Sequence, residues 1–144
     1  GDRDRVIRRG RLKVYRISPA TLKDKDLPAI HGHELLAGPE YPEGAAADRF
    51  RDLLLDPASY PQQPPAKVKV CRFEPAIVLR FTHNTDAVEV LVSFVCNRVK
   101  VYHNDKLLEM RDIDPGRNRL LTLARAVFPG DTYLDLMPPR RGRN

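Results

Sequence analysis

The chain of 144 residues has the length of one typical domain, and its formal net charge is +6 at pH 7. Hydrophobic residues make up 42% and charged residues 31% of the sequence, which is typical of a globular domain and excludes a disordered chain. No apolar run reaches the roughly 18 residues that a membrane-spanning helix requires. We therefore expect one folded domain with its own hydrophobic core.

The positive charge is concentrated at the two ends of the chain. The segment 1–13 holds six basic and two acidic side chains, 138–144 holds three basic ones, and 14–137 is nearly neutral with 16 basic and 17 acidic ones. We expect a basic N-terminal arm at 1–10, a single α+β domain at 11–137 and a basic C-terminal tail at 138–144. The ends either solubilise the protein or bind nucleic-acid phosphates. The nucleic-acid candidates are Arg8, Arg9, Arg11, Arg140, Arg141 and Arg143.

The first half of the chain is rich in proline and predicts one strand, one irregular stretch and one helix. β-Branched and aromatic residues predict a short strand at Arg11–Ile17. Prolines interrupt the stretch from Ser18 to Tyr41, which is therefore expected to be irregular. Apolar residues at helical spacing predict a helix at Glu43–Leu55, which Asp56-Pro57 ends.

The middle of the chain predicts a β-hairpin. Two strands are expected at Lys67–Phe81 and Ala87–Val95. The turn signal at His83–Asp86 joins them and places Thr82 opposite the first residue of the second strand. The run Ala76–Leu79 is apolar without alternation, which predicts that this part of the first strand is covered on both faces.

The last third predicts two more strands and a helix. A bend or bulge near Cys96–Arg98 is expected to separate the hairpin from strands at Val99–Tyr102 and Leu107–Met110. Capping residues and an apolar stripe predict a helix over Asp114–Val127, and Thr132–Met137 is interpreted as a final short strand. The expected fold is α+β: an antiparallel sheet of four to six strands with two helices packed on it.

The two cysteines are candidates for a disulfide. The predicted hairpin register places Cys71 opposite position 98, and a bulge at Pro75 shifts its partner to Cys96. Cys71 and Cys96 are therefore expected close together on neighbouring strands. They form either a cross-strand disulfide or two buried thiols that pack as small hydrophobic groups.

Short motifs around these cysteines resemble a known family. The run from Cys71 to Pro75 has the pattern C-x-F-x-P, and the run from Ser93 to Cys96 matches C-F-x-C except at its first position. Together with Leu54–Tyr60, these motifs resemble an uncharacterised family of small bacterial proteins, several of which are described as lipoproteins. The resemblance implies a bacterial source and an envelope location but no activity. Ser93 replaces a family cysteine, which argues against a metal or redox role for this element.

Other catalytic and ligand-binding patterns are weak. His31 and His33 are two residues apart and, with Cys71 and Cys96, could complete a tetrahedral zinc set, although an exposed loop is the favoured interpretation. The sequence contains no G-x-S-x-G motif, no P-loop and no G-x-G-x-x-G motif. We therefore assign no catalytic residue, no metal ligand and no cofactor.

The sequence favours a non-enzymatic bacterial domain that acts through protein–protein contacts, with the periplasm or envelope preferred to the cytoplasm. The proline-rich first half is the expected recognition surface, because irregular segments on a rigid sheet often bind partners. The partner and the oligomeric state stay open. Two alternatives remain: nucleic-acid binding through the basic ends, and the zinc site of His31, His33, Cys71 and Cys96.

Overall fold

The computed structural model describes residues 2–24, 26–64 and 67–140. The fold is α+β with one antiparallel sheet that curls into a half-barrel. The strands are β1 Arg11–Thr21, β2 Ala29–Ile30, β3 His33–Glu40, β4 Ile77–His83, β5 Asp86–Ser93, β6 Arg98–His103 and β7 Lys106–Asp112. The α-helices are α1 Asp2–Arg9, α2 Ala45–Leu55, α3 Arg117–Val127 and α4 Thr132–Leu136, with single 3₁₀ turns at Pro57–Ser59 and Asp114–Gly116.

The strand order is β2-β3-β1-β4-β5-β6-β7, and every neighbouring pair is antiparallel. Short turns connect β4, β5, β6 and β7 in a meander. The N-terminal strand β1 pairs with β4 on the other side of that strand. The register of β4 and β5 pairs Thr82 with Ala87, which confirms the predicted hairpin. The sheet has seven strands among the described residues rather than the four to six expected.

One face of the sheet, here called the helix-covered face, is apolar. Its inward side chains form a single buried cluster with residues of all four helices. Phe50 of α2, Leu120 of α3 and Leu134 of α4 are each at most 1% exposed. From the sheet, the cluster includes Leu12, Val14, Ile77, Leu79, Phe81, Val88, Val90, Val92, Val99 and Val101.

The opposite face, here called the hairpin-covered face, has a smaller apolar cluster. Its buried members are Ile17, Val78 and Leu91. Partly buried side chains from outside the meander pack on them, including Ile30 of the β2–β3 hairpin and Phe73 of the segment before β4. Since Val78 is buried here while its neighbours face the helices, the prediction that Ala76–Leu79 is covered on both faces is confirmed.

The N-terminal segment differs from the expected basic arm. Asp2–Arg9 forms α1, whose Val6 and Ile7 are 1% and 5% exposed in the main core. Asp2 and Asp4 lie in the first turn of α1 and Arg8 and Arg9 in the last turn, which suits the helix dipole. The sequence analysis considered only the charges of this segment. The burial of Val6 and Ile7 places α1 in the folded domain.

Two strands, β2 and β3, were also missed within the stretch expected to be irregular. β3 pairs with β1, but Val14 faces Glu40 while Arg16 faces Ala37, so β3 holds one extra residue at this point. Gly38 and Pro39 occupy this bulge. A bulge tolerates proline because the ladder needs no donor there. Gly38 adopts φ +100°, and a Cβ would lie 2.7 Å from the carbonyl oxygen of Val14.

Two predicted strands have other conformations. Residues 67–76 have no regular secondary structure, so the strand begins at Ile77 rather than at Lys67. The stretch Thr132–Leu136 is helical rather than extended, because the Asp131 carboxylate caps it by accepting a hydrogen bond from the Leu134 N–H. The predicted helices end as expected at Leu55 and Val127.

Candidate functional site

The structure bonds the two cysteines to each other. The disulfide Cys71–Cys96 joins the irregular segment before β4 to the β5–β6 turn, with 5.8 Å between the two Cα atoms. Of the two alternatives for Cys71 and Cys96, the structure has the disulfide rather than two buried thiols, and neither cysteine lies within a strand. The bond also excludes the zinc set of His31, His33, Cys71 and Cys96, because a disulfide sulfur is no longer a thiolate ligand.

The two histidines of that set also lie in separate environments. His33 is buried, and its Nδ1 lies 2.9 Å from the carbonyl oxygen of Ser18. The His31 ring instead reaches across the hairpin-covered face, where its Nε2 lies 2.7 Å from Glu89 Oε1. It also stacks on the Tyr102 ring with 3.7 Å between centroids. Burial and the nearby Glu89 carboxylate raise the pKa of Tyr102.

The candidate nucleic-acid arginines fall into separate groups. Arg8, Arg9 and Arg11 are exposed at the junction of α1 and β1, and the Arg11 guanidinium lies 5.1 Å from the Tyr41 ring centroid. Arg140 Nε instead lies 3.6 Å from an Asp114 carboxylate oxygen. Arg141 and Arg143 lie outside the described residues. Nucleic-acid binding by these residues stays a prediction.

A groove of about 400 Å³ lies between α2 and α3. Its floor contains Leu53, which is buried, and Leu123, which is half-buried. Charged side chains of both signs surround these leucines. The full lining is Arg49, Asp52, Leu53 and Asp56 from the α2 side and Arg119, Thr122 and Leu123 from α3.

The groove continues toward the loop between β3 and α2. A second depression of about 280 Å³ shares Arg49 and Leu123 with the first. Its other lining residues are Glu40, Tyr41, Pro42, Ala46, Phe50, Ala126 and Val127. The two depressions together are called the α2–α3 groove from here on. It brings part of the proline-rich first half, at Tyr41 and Pro42, beside the helices.

Helical spacing explains why these side chains share one groove. Arg49, Leu53 and Asp56 are four and three residues apart on consecutive turns of α2 and just beyond its end. On α3, Arg119, Leu123 and Ala126 repeat the same spacing. The sequence did not locate this groove, because Leu123 belongs to the apolar stripe of α3 and only the structure shows that it is half-buried.

The β7 strand forms one edge of the sheet and exposes apolar side chains. Leu107, Leu108 and Met110 are 53%, 50% and 47% exposed. The register shifts between Val101 and Tyr102 on β6, so Leu108 forms a bulge. Bulges and edge lysines such as Lys106 are features that discourage pairing with another strand. The β7 edge is therefore a weaker candidate than the α2–α3 groove.

No family model, curated protein or solved structure matches the chain. None of the helices in the described ranges is long and apolar enough to cross a membrane.

Proposed function

We propose that the chain is a non-enzymatic domain that binds an amphipathic segment of a partner protein in the α2–α3 groove. The observation that carries the proposal is the combination of an apolar floor at Leu53 and Leu123 with the flanking Arg49 and Arg119 side chains. Grooves of a few hundred Å³ with an apolar floor and a few polar groups are typical binding sites.

The charges on the rim define the chemistry of the partner. Arg49 and Arg119 lie on different helices, while Asp52 and Asp56 both come from the α2 side. A segment that inserts an apolar side chain between Leu53 and Leu123 would meet cations and carboxylates around that position. A helix with apolar residues on one side and charges of both signs on its flanks fits this arrangement. The charges would then contribute mainly to partner choice, since exposed ion pairs add little free energy.

An oxidising compartment is part of the proposal. Disulfides persist in the bacterial periplasm and in secreted proteins and are rare in the cytosol. The Cys71–Cys96 bond supports this location, and so does the resemblance of the surrounding motifs to a bacterial family that includes lipoproteins. We therefore propose that the domain acts in the bacterial envelope.

Peptide selection tests the groove. A phage-displayed library of short random peptides is selected on the oxidised protein and counter-selected on the variant Leu123→Asp. We expect amphipathic peptides that shift the backbone amide signals of α2 and α3 in NMR spectra. Because an aspartate on the groove floor puts a charge where an apolar side chain must insert, Leu123→Asp should weaken binding at least about tenfold.

Two variants control this experiment. Arg49→Glu should weaken the same peptides by a smaller factor while its amide spectrum stays that of a folded protein, since Arg49 is exposed. Leu107→Asp makes the same apolar-to-charged change on the exposed β7 edge and should leave the affinity unchanged. Peptides that bind Leu123→Asp as tightly as the unmodified protein, or that shift the amides of Lys106–Asp112, would overturn the proposal.

A further inference from the structure

Two hairpin turns meet over a buried carboxylate on the hairpin-covered face. His31 lies in the β2–β3 turn, Asp105 in the β6–β7 turn, and Glu89 in the middle of β5. A ring nitrogen of His31 and one carboxylate oxygen from each acidic residue all lie within 4.8 Å of one another. Segments that are far apart in the sequence thus bring together three side chains that bind metals.

Glu89 is incompletely compensated in this position. Its side chain is 8% exposed, and its Oε1 interacts with His31 Nε2 at 2.7 Å. Its Oε2 lies 4.0 Å from Arg80 Nε, which is beyond hydrogen-bond distance. Arg80 Nε is itself buried without a hydrogen-bond partner among the described residues. A buried carboxylate usually gains hydrogen bonds or a cation, and the ion pair of Oε2 with Arg80 is long at 4.0 Å, which leaves room for a metal ion beside Glu89.

The backbone presents the other two ligands from an uncommon conformation. His31 adopts φ +48° and Asp105 adopts φ +69°, in the left-handed region that favours glycine. In two-residue hairpins of this kind, the second turn position is most often glycine. Asp105 occupies that position after Asn104, so the turn keeps a carboxylate where a glycine would fit with less strain. The stack on Tyr102 holds the His31 ring toward Glu89.

We propose that His31, Glu89 and Asp105 bind one divalent transition-metal ion of the zinc class. One imidazole and two carboxylates form a ligand set that zinc accepts, and three protein ligands leave a fourth position for water. Binding replaces the hydrogen bond between His31 Nε2 and Glu89 Oε1 with two bonds to the metal. The proton of that hydrogen bond leaves Nε2: a neutral imidazole takes it up again at Nδ1, and an imidazolium releases it to solvent. This site shares no residue with the α2–α3 groove, so it is independent of the proposed function.

Calorimetric titration of the chelator-treated, oxidised protein with ZnCl₂ tests the proposal. We expect one saturable site per chain. Glu89→Gln and His31→Gln should each weaken zinc binding by at least about 100-fold, because each removes a metal ligand. Asp105→Asn should have a smaller effect because Asp105 is exposed. Titration with Co²⁺ should give a visible spectrum that His31→Gln abolishes.

The controls separate this site from other histidines and from misfolding. His83→Gln and Asp24→Asn change a histidine and a carboxylate outside the cluster and should leave the zinc affinity unchanged. His31 and Asp105 lie in turns, so their variants keep the test informative if Glu89→Gln fails to fold. Equal zinc affinity of His31→Gln and the unmodified protein, loss of binding in His83→Gln, or the lack of one saturable site would each overturn the proposal.

Discussion

The two faces of the sheet bury their residues in different ways. The helix-covered face is apolar along four adjacent strands, and four helices contribute to its cluster. The hairpin-covered face has three buried apolar residues and, between them, the charged side chains of Arg80, Glu89 and Lys100. Its cover consists of the β2–β3 hairpin and the disulfide-linked segment that contains Phe73.

This difference indicates that the two faces contribute to stability in different ways. Burial of apolar surface on the helix-covered face supplies most of the stability, since the free energy scales with apolar area removed from water. The hairpin-covered face instead carries charged side chains such as Glu89, whose interactions depend on neighbouring charges and on pH. Lys100, for example, lies 4.5 Å from the Phe73 ring centroid and so covers an aromatic surface with a cation. Substitutions on the two faces should therefore differ in size and in kind.

A matched pair of phenylalanine variants compares the faces directly. Phe81→Ala leaves a cavity in the helix-covered core, where Phe81 is fully buried, and should lower the free energy of unfolding by about 3–5 kcal/mol. Phe73→Ala removes a partly buried ring on the other face and should cost about 1–2 kcal/mol. Urea denaturation monitored by circular dichroism measures both. Equal losses in the two variants would contradict the comparison.

The sequence predicted several features that neighbouring residues determine but not the burial of Glu89, for a physical reason. Alternation and turn signals depend on neighbouring residues, so the β4–β5 register and the end of α2 at Leu55 followed from local patterns. The burial of Glu89 depends on a hairpin more than 50 residues away in the chain. No local pattern distinguishes it from an exposed glutamate on a half-exposed strand. His31 was a candidate ligand, but its partners could not be predicted.

Removal of the disulfide tests how the hairpin-covered face keeps its cover. Cys71 and Cys96 are 25 residues apart, and the double variant Cys71→Ser/Cys96→Ser should lose about 3–4 kcal/mol of stability through the larger entropy of the unfolded chain. The main core should persist, since Phe81 and its neighbours do not depend on this link. Urea denaturation gives the loss, and the unmodified protein under reductant should match the double variant. A loss below about 1 kcal/mol would show that packing alone holds the segment.

A smaller effect comes from a buried charge near the helix-covered face. Arg16 is 4% exposed, and its Nε donates to Asp131 Oδ2 at 2.8 Å. Burial alone would raise the pKa of Asp131, but the hydrogen bonds from Arg16 and from the Leu134 N–H outweigh it and hold this pKa below its ordinary value. Because the pKa is lower in the folded state, this contribution is complete above the unfolded pKa and is lost as the pH falls through the folded pKa.

The variant Asp131→Asn should therefore lose about 1–2 kcal/mol at neutral pH, with the difference from the unmodified protein shrinking below about pH 4. Asp135→Asn, an exposed change in the same helix α4, is the matched control and should show neither effect. Thermal unfolding across a pH series measures both variants. An asparagine oxygen could still cap the helix in part. A stability difference between Asp131→Asn and the unmodified protein that stays constant down to low pH would therefore mean that the loss comes from a weaker cap rather than from the lost charge. The helix-covered face would then owe its stability to packing and capping, and pH-dependent stability would be confined to the face that holds Glu89.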